Sequence, residues 1–243
     1  MDDRELEEAV QLACDENRCV YGQRKLKQVL RRKGVVASRR RIGRIMSKRG
    51  LVSAYTRKKF RPHKTKVNES SAPNLLDRNF NGHKPGHCVV SDLTYVRVGD
   101  GWSYICLLLD LGAREILGYS AGRHKDAELV RKAFATVKGN LLNIQMFHTD
   151  RGSEFDNTRI DEPLDVFDIK KSLSHKGNPY DNAVVESTNR LLRKELVYRN
   201  HYTTIEQLRH DLNDYVWWSD NQRLHSTLGY RSPKEFTEQG LVL

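Results

Sequence analysis

Three acids from distant parts of the chain, Asp92, Asp150 and Glu186, stand where a carboxylate needs a reason. Asp92 lies inside the apolar, strand-like run VVSDLTYV, where a charge is costly unless it is paired or binds a metal. Asp150 follows the short apolar run IQMFHT and precedes Arg151 and Gly152, so it sits at a strand end, where open α/β sheets place ligands. Glu186 lies in a helical stretch whose face continues through Arg190, Arg193 and Val197, setting one carboxylate beside two guanidiniums. Hard divalent cations such as Mg²⁺ take oxygen ligands, and phosphodiester cleavage by metal ions uses two of them about 4 Å apart. Acids gathered from three segments, with arginines along one flank, suit that chemistry. Each acid taken singly reads equally well as a surface or capping group. Asp110, at the end of the next strand, is the rival to Asp92, either as a turn cap or as a support for the site. Asp181 and Asn182 read as caps of the Glu186 helix. His148 shares the face of Asp150 and reads as core or as a support for it. Gly152 reads as a turn or as room for close backbone approach.

The elements that must position these acids are legible from residue 86 onward. Residues 88–98 alternate, residues 102–111 form a nearly unbroken apolar run, and 114–121, 144–149 and 169–174 give three more strands. Helical spacing appears over 126–138, 181–198 and 203–220, the last with Trp217 and Trp218 in its buried face. Hairpin strands followed by alternating helices and strands predict an α/β domain with a mixed sheet over 85–240.

Ahead of it lies a different texture. The 243 residues carry a formal net charge of +11, and between Arg18 and Asn68 stand nineteen Lys and Arg without one Asp or Glu. A basic block beside an acidic body predicts a polyanion-binding arm. Three short helices are expected within 1–54. They cover 2–17, 23–33 closed by Gly34, and 39–49 capped by Ser38 and stopped by Gly50. The third carries Arg39, Arg40, Arg41, Arg44, Lys48 and Arg49, which suits a phosphate-gripping or groove-entering helix of a helix-turn-helix unit. Residues 55–84 read as a basic linker able to track a DNA backbone. No apolar run is long enough for a membrane span, and the acidic start does not read as a signal peptide. Four scattered cysteines fit a reducing, cytoplasmic setting, and Cys14 and Cys19 lack the histidines a zinc module needs.

Between Asp150 and Glu186 lie 35 residues. Together with the flanks HTDRGSEF, SHKGNPYDNAVVESTNRLLRKEL and NQRLHSTLGYRSP, in that order, this resembles the OrfB-type transposases of the bacterial IS-three insertion-sequence family, within the retroviral integrase superfamily. The basic YGQRKLKQVLRRKG and SRRRIGRIMSKRGL stretches are similar to that family's helix-turn-helix segment. The resemblance runs from about Val20 to Pro233. It implies an RNase H-like five-stranded mixed sheet flanked by helices, behind a small basic helical domain. Asp92, Asp150 and Glu186 then become catalytic ligands of two Mg²⁺ or Mn²⁺ ions, and Arg190 and Arg193 become DNA contacts. Arg223 and His225 match the family's R-x-H, whereas Asp220 and Asn221 stand where it often has Tyr-Asn. The implied work is cleavage of double-stranded DNA at an element's terminal repeats, then attack of the freed 3′-OH on target DNA, by way of a circular intermediate. The implied partners are DNA, further copies of the chain, and an upstream-frame DNA-binding protein or fusion. The implied setting is the bacterial cytoplasm, on the nucleoid when DNA-bound.

Overall fold

The structure is a computed structural model that describes residues 2–56, 72–176 and 178–243. Half of the expected basic linker, residues 57–71, lies outside the described residues. The chain opens with α1 (Asp3–Glu16), α2 (Gln23–Arg32) and α3 (Arg39–Lys48). Asp2 and Glu5 close a capping box on α1, and the Ser38 hydroxyl accepts from the Arg41 amide at 3.2 Å to start α3. Gly34 and Gly50, with φ of 78° and 66°, end α2 and α3 in the left-handed region that favours glycine. A disulfide joins Cys14 to Cys19 across the turn after α1, a pairing the scattered cysteines did not suggest.

The sheet follows. β1 (Cys88–Val98), β2 (Gly101–Asp110) and β3 (Ile116–Gly122) form an antiparallel meander, and β4 (Met146–Thr149) and β5 (Lys170–Leu173) add in parallel beside β1. The order is β3-β2-β1-β4-β5. β2 is buried continuously from Ile105 to Asp110, as its apolar run required. One face packs against α4 (Ala127–Ala135) and α5 (Thr158–Val166), through Val89, Leu108, Phe147, Leu129 and Ile160. The other face packs against α6 (Ala183–Glu195) and α7 (Ile205–Asn221), through Val90, Val96, Leu107, Leu192 and Leu212. The short α8 (Pro233–Glu238) closes the chain.

The first three helices do not keep a core of their own. Leu6, Leu26, Leu30 and Ile42 belong to the same apolar cluster as Trp218, Leu224 and the α6–α7 face of the sheet. Tyr21 stacks obliquely on Trp218 with ring centroids 6.2 Å apart, and its hydroxyl accepts from the Leu224 amide at 2.7 Å. No described helix is long and apolar enough to cross a membrane.

Candidate active site

The register of β1 against β4 brings the first two acids together. Val89 pairs with Phe147 and Val90 with His148, so the last pair lies two residues before Asp92 on one strand and two before Asp150 on the other, and the Asp92 carboxyl feels the Asp150 charge. Neighbouring strands run about 4.8 Å apart, and residues two apart share a face, so both carboxylates rise on one side of the sheet. β4 ends at Thr149, so Asp150 stands at the carboxyl end of its strand, and beyond Val90 the edge of β1 is no longer covered by β4.

α6 lies across that uncovered stretch. Asn182 Nδ2 donates to the Ser91 carbonyl at 3.1 Å, Asn189 Nδ2 to Asp92 Oδ2 at 2.9 Å, and Arg193 to Thr94 Oγ1 at 3.0 Å. Residues 182, 186, 189 and 193 form one helical stripe, so Glu186 stands one turn ahead of the asparagine that holds Asp92. Val185 and Leu192 bury the adjoining face and fix the helix on the sheet.

The acids feel one another. Burial first, then the charges of Asp150 and Glu186, push the Asp92 carboxyl up to about 7 against the hydrogen bonds from Asn189 and the Leu93 amide. Burial and the charge of Glu154 raise Asp150, with the Gly152 amide and Lys125 opposing. Burial and Asp150 raise Glu186, with Arg190 and Arg193 opposing. Among the described residues no three His, Cys, Asp or Glu side chains are drawn tightly enough to hold a metal ion. Like charges push these acids apart. Each also has a nearer partner: Asn189 and the Leu93 amide for Asp92, the Gly152 amide for Asp150, and the field of two arginines for Glu186. The donor set itself, three carboxylates carrying mutual repulsion, fits hard divalent cations.

The other expected residues sort by what they touch. Arg190 is exposed beside Glu186, and Arg193 is half-buried on Thr94. On α3, Arg39, Arg40 and Arg44 are exposed, whereas Arg41 pairs with Asp3 at 2.6 Å and Lys48 and Arg49 both pair with Glu7. Half of the expected DNA-facing cations on that helix are therefore engaged by α1. Asp110 is buried and accepts from the Gly86 and Ala113 amides, so it caps a turn. Asp181 does not cap α6. It is buried and accepts from Arg78, Asn74 and His175, contacts that hold its carboxyl down to about 2 although burial alone would raise it. Asn182 holds the cap position of α6, but its amide serves Ser91. His148 is fully buried between Ser172, Ser174 and the Asp181 carbonyl, and burial lowers it to about 4, so it is neutral. Trp218 is core, as its spacing predicted, but Trp217 is 55% exposed. Arg223 is packed inside the protein, 3% exposed and fastened to Glu195 at 2.7 Å, and His225, half-buried, lies against it.

Two participants were missed by sequence reasoning. Asn189 was legible, since it lies three residues after Glu186 on an inward face; the arginine stripe drew the reading one residue too far round. Glu154, buried and paired with Lys125 at 2.9 Å beside Asp150, carried no signal, because both residues come from loops without periodicity.

Against known families, an HTH-like domain matches residues 1–59, and two integrase core domain families match residues 82–179 and 167–233. Among curated proteins, the transposase for insertion sequence element IS904 of Lactococcus lactis subsp. lactis (strain IL1403) is 31% identical over 234 residues, covering 95% of this chain and 92% of the relative. The transposase InsF for insertion sequence IS3A of Escherichia coli (strain K12) is 29% identical over 229 residues, covering 91% of this chain and 78% of the relative. Among solved structures, the simian T-cell lymphotropic virus intasome in complex with PP2A regulatory subunit B56 gamma matches with a TM-score of 0.53 at 14% identity. It covers 94% of this chain and 73% of that one, a likeness of fold. A helix-turn-helix-like start, an integrase core and relatives aligned over most of their length lead to one conclusion: the chain belongs to the IS3-type insertion-sequence transposases.

Proposed function

We propose that this transposase cuts DNA at the ends of its element and joins them to target DNA with Asp92, Asp150 and Glu186 as catalytic carboxylates holding two Mg²⁺ or Mn²⁺ ions. The observation that carries the proposal is the raised Asp92 carboxyl, which feels the charges of Asp150 and Glu186, supported by a β1–β4 pairing whose last pair, Val90 with His148, lies two residues short of both aspartates. When bound, the two cations activate the attacking oxygen and stabilise the leaving oxygen of an in-line displacement at phosphorus. The chain's own groups position the rest. Asn189 fixes the orientation of Asp92, as a hydrogen bond to a ligating carboxylate does. Arg190 and Arg193 present guanidiniums to the phosphates on the α6 flank. Arg39, Arg40 and Arg44 of α3 grip double-stranded DNA away from the cut, and Arg41, Lys48 and Arg49 join them to the extent that they leave α1. No Tyr or Ser nucleophile is required, so joining proceeds without a covalent protein–DNA intermediate.

Two element ends must be held together, so the working form is a homo-oligomer on DNA, with an upstream-frame DNA-binding protein or fusion as a further partner. The setting is the bacterial cytoplasm, on the nucleoid when DNA-bound. The test supplies the protein with a pre-cut duplex carrying its own element's end, a target duplex and Mn²⁺. Strand-transfer products are expected from the parent and none from Asp92→Asn, Asp150→Asn or Glu186→Gln, each of which still shifts the duplex in a gel. Joining that survives in any variant removes that residue from the set, and hydrolysis without joining in the parent overturns the transfer reading.

A further inference from the structure

Four residues past Asp150, Glu154 is only 4% exposed, and its carboxylate receives the Lys125 ammonium at 2.9 Å. Gly152 makes the room: a Cβ there would stand 2.4 to 2.7 Å from the atoms of the Glu154 carboxyl group. The chain thus gives up a side chain beside Asp150 to bury a fourth acid, a costly placement unless the pairing has a use. Lys125 keeps 36% of its side chain exposed, and Glu154 is its ion-pair partner among the described residues. Burial alone would lower the ammonium, but the hydrogen bond and charge of Glu154, with the charges of Asp150 and Asp92, outweigh it and raise it. It belongs to the β3–α4 loop, where Arg123 and His124 are also exposed, on the flank of the site away from α6.

A phosphodiester entering this site meets Arg190 and Arg193 on one side and four carboxylates ahead. Lys125 is the cation placed to receive it on the other side. Glu154 engages that ammonium directly at 2.9 Å, and the charges of Asp150 and Asp92 favour the same cation. We propose that Lys125, pinned by Glu154, forms a phosphate-binding subsite for a DNA phosphodiester adjacent to the one that reacts. The proposal rests on the carboxylate assignment above. Glu154 is a positioning residue in it, and Lys125 touches the substrate.

The experiment uses the full chain, Mn²⁺ and a set of duplexes carrying the element end, each with one neutral methylphosphonate at successive phosphates around the cut. The parent should show one position where neutralisation slows cleavage about 10- to 100-fold, the range expected for a charge-assisted hydrogen bond. Lys125→Met should slow the unmodified duplex by a similar factor and be indifferent to the methylphosphonate at that one position. Lys125→Arg should recover most of the rate, and Glu154→Gln should lie between. Cleavage by Lys125→Met at the parental rate, or full additivity at every methylphosphonate position, overturns the subsite. Where Lys125→Met does not fold, the same scan with Lys125→Arg decides by whether the sensitive position persists or shifts. Asp92→Asn run in parallel separates the two claims, since its cleavage at the parental rate would strike at the carboxylate assignment itself.

Discussion

Two acids on one helix, Glu186 and Glu195, face opposite fates. Glu195 is enclosed by a full set of partners. Arg223 binds it through two nitrogens, the Tyr215 hydroxyl donates at 2.8 Å, and Tyr55 reaches it from just beyond the third helix. Burial would raise its carboxyl, but the Arg223 guanidinium and these hydrogen bonds outweigh that and hold it below the usual range. Glu186, nine residues earlier, is held above its usual value by burial and by Asp150. The Glu195 cluster is complete from within and ties the first helices to the sheet domain. The Glu186 cluster is a set of acids whose balance has to come from outside. Glu195, buried with its own guanidinium, serves the fold, whereas Asp92 and Asp150, half-buried, and Glu186, exposed, are set against one another as acids kept for a ligand are.

The largest effect expected from this contrast is on the closed cluster. Arg223→Met leaves Glu195 buried without its cation and should lower unfolding free energy by about 3–5 kcal/mol in a urea melt, the cost of breaking one half of a buried pair. A loss under about 1 kcal/mol would remove the distinction.

The open cluster should respond in the opposite direction. Because Asp92 titrates near 7 in the fold and near 3.8 when free, the metal-free chain loses stability as pH rises from 3.8 through about 7. Asp92→Asn should therefore raise the stability of the metal-free chain at pH 8, on the order of 2 kcal/mol, with little change at pH 4. Equal melts at pH 8 would contradict the burial and the neighbouring charges that raise Asp92. The same linkage makes Mn²⁺ displace a proton from Asp92 below pH 7. Affinity followed by calorimetry should climb between pH 5.5 and 7 and then level off, and a flat profile would place the metal elsewhere.

A smaller effect belongs to Asn189. Its replacement by Ala removes one hydrogen bond from Asp92 and should weaken Mn²⁺ binding about tenfold with the fold intact. Smaller still, Arg40→Ala or Arg44→Ala should each lower the slope of log affinity for DNA against log salt by about one phosphate contact. Arg41→Ala and Arg49→Ala should change it less, since α1 already engages those side chains.

Much of this arrangement was legible in the sequence. The alternation of 88–98, the apolar run of β2, the Ser38 cap and the glycine stops gave the strands and the first three helices. Asp92 and Asp150 stood out as acids within or just after apolar runs, and Glu186 by the arginines on its face and its spacing from Asp150. α5 was missed because Pro163 sits inside it and its apolar positions, Ile160 and Leu164, are too few to show a period. α8, of six residues, offers less than two turns of pattern. The R-x-H segment was visible, but a basic residue in a loop reads the same whether it faces DNA or a buried Glu195 nearly thirty residues away in sequence. Asp181 was mistaken for a cap because its partners Arg78 and Asn74 lie more than 100 residues earlier, where spacing carries no information.

Asp92, Asp150 and Glu186 are expected to gather around divalent cations. Crystals of the chain grown with Mn²⁺, read by anomalous scattering, test it most directly. Mn²⁺ is expected on oxygens of all three carboxylates, with Asn189 still on Asp92, and a second ion about 4 Å away once a DNA end is present. Manganese bound elsewhere, or the three side chains remaining apart with the ion present, would contradict it.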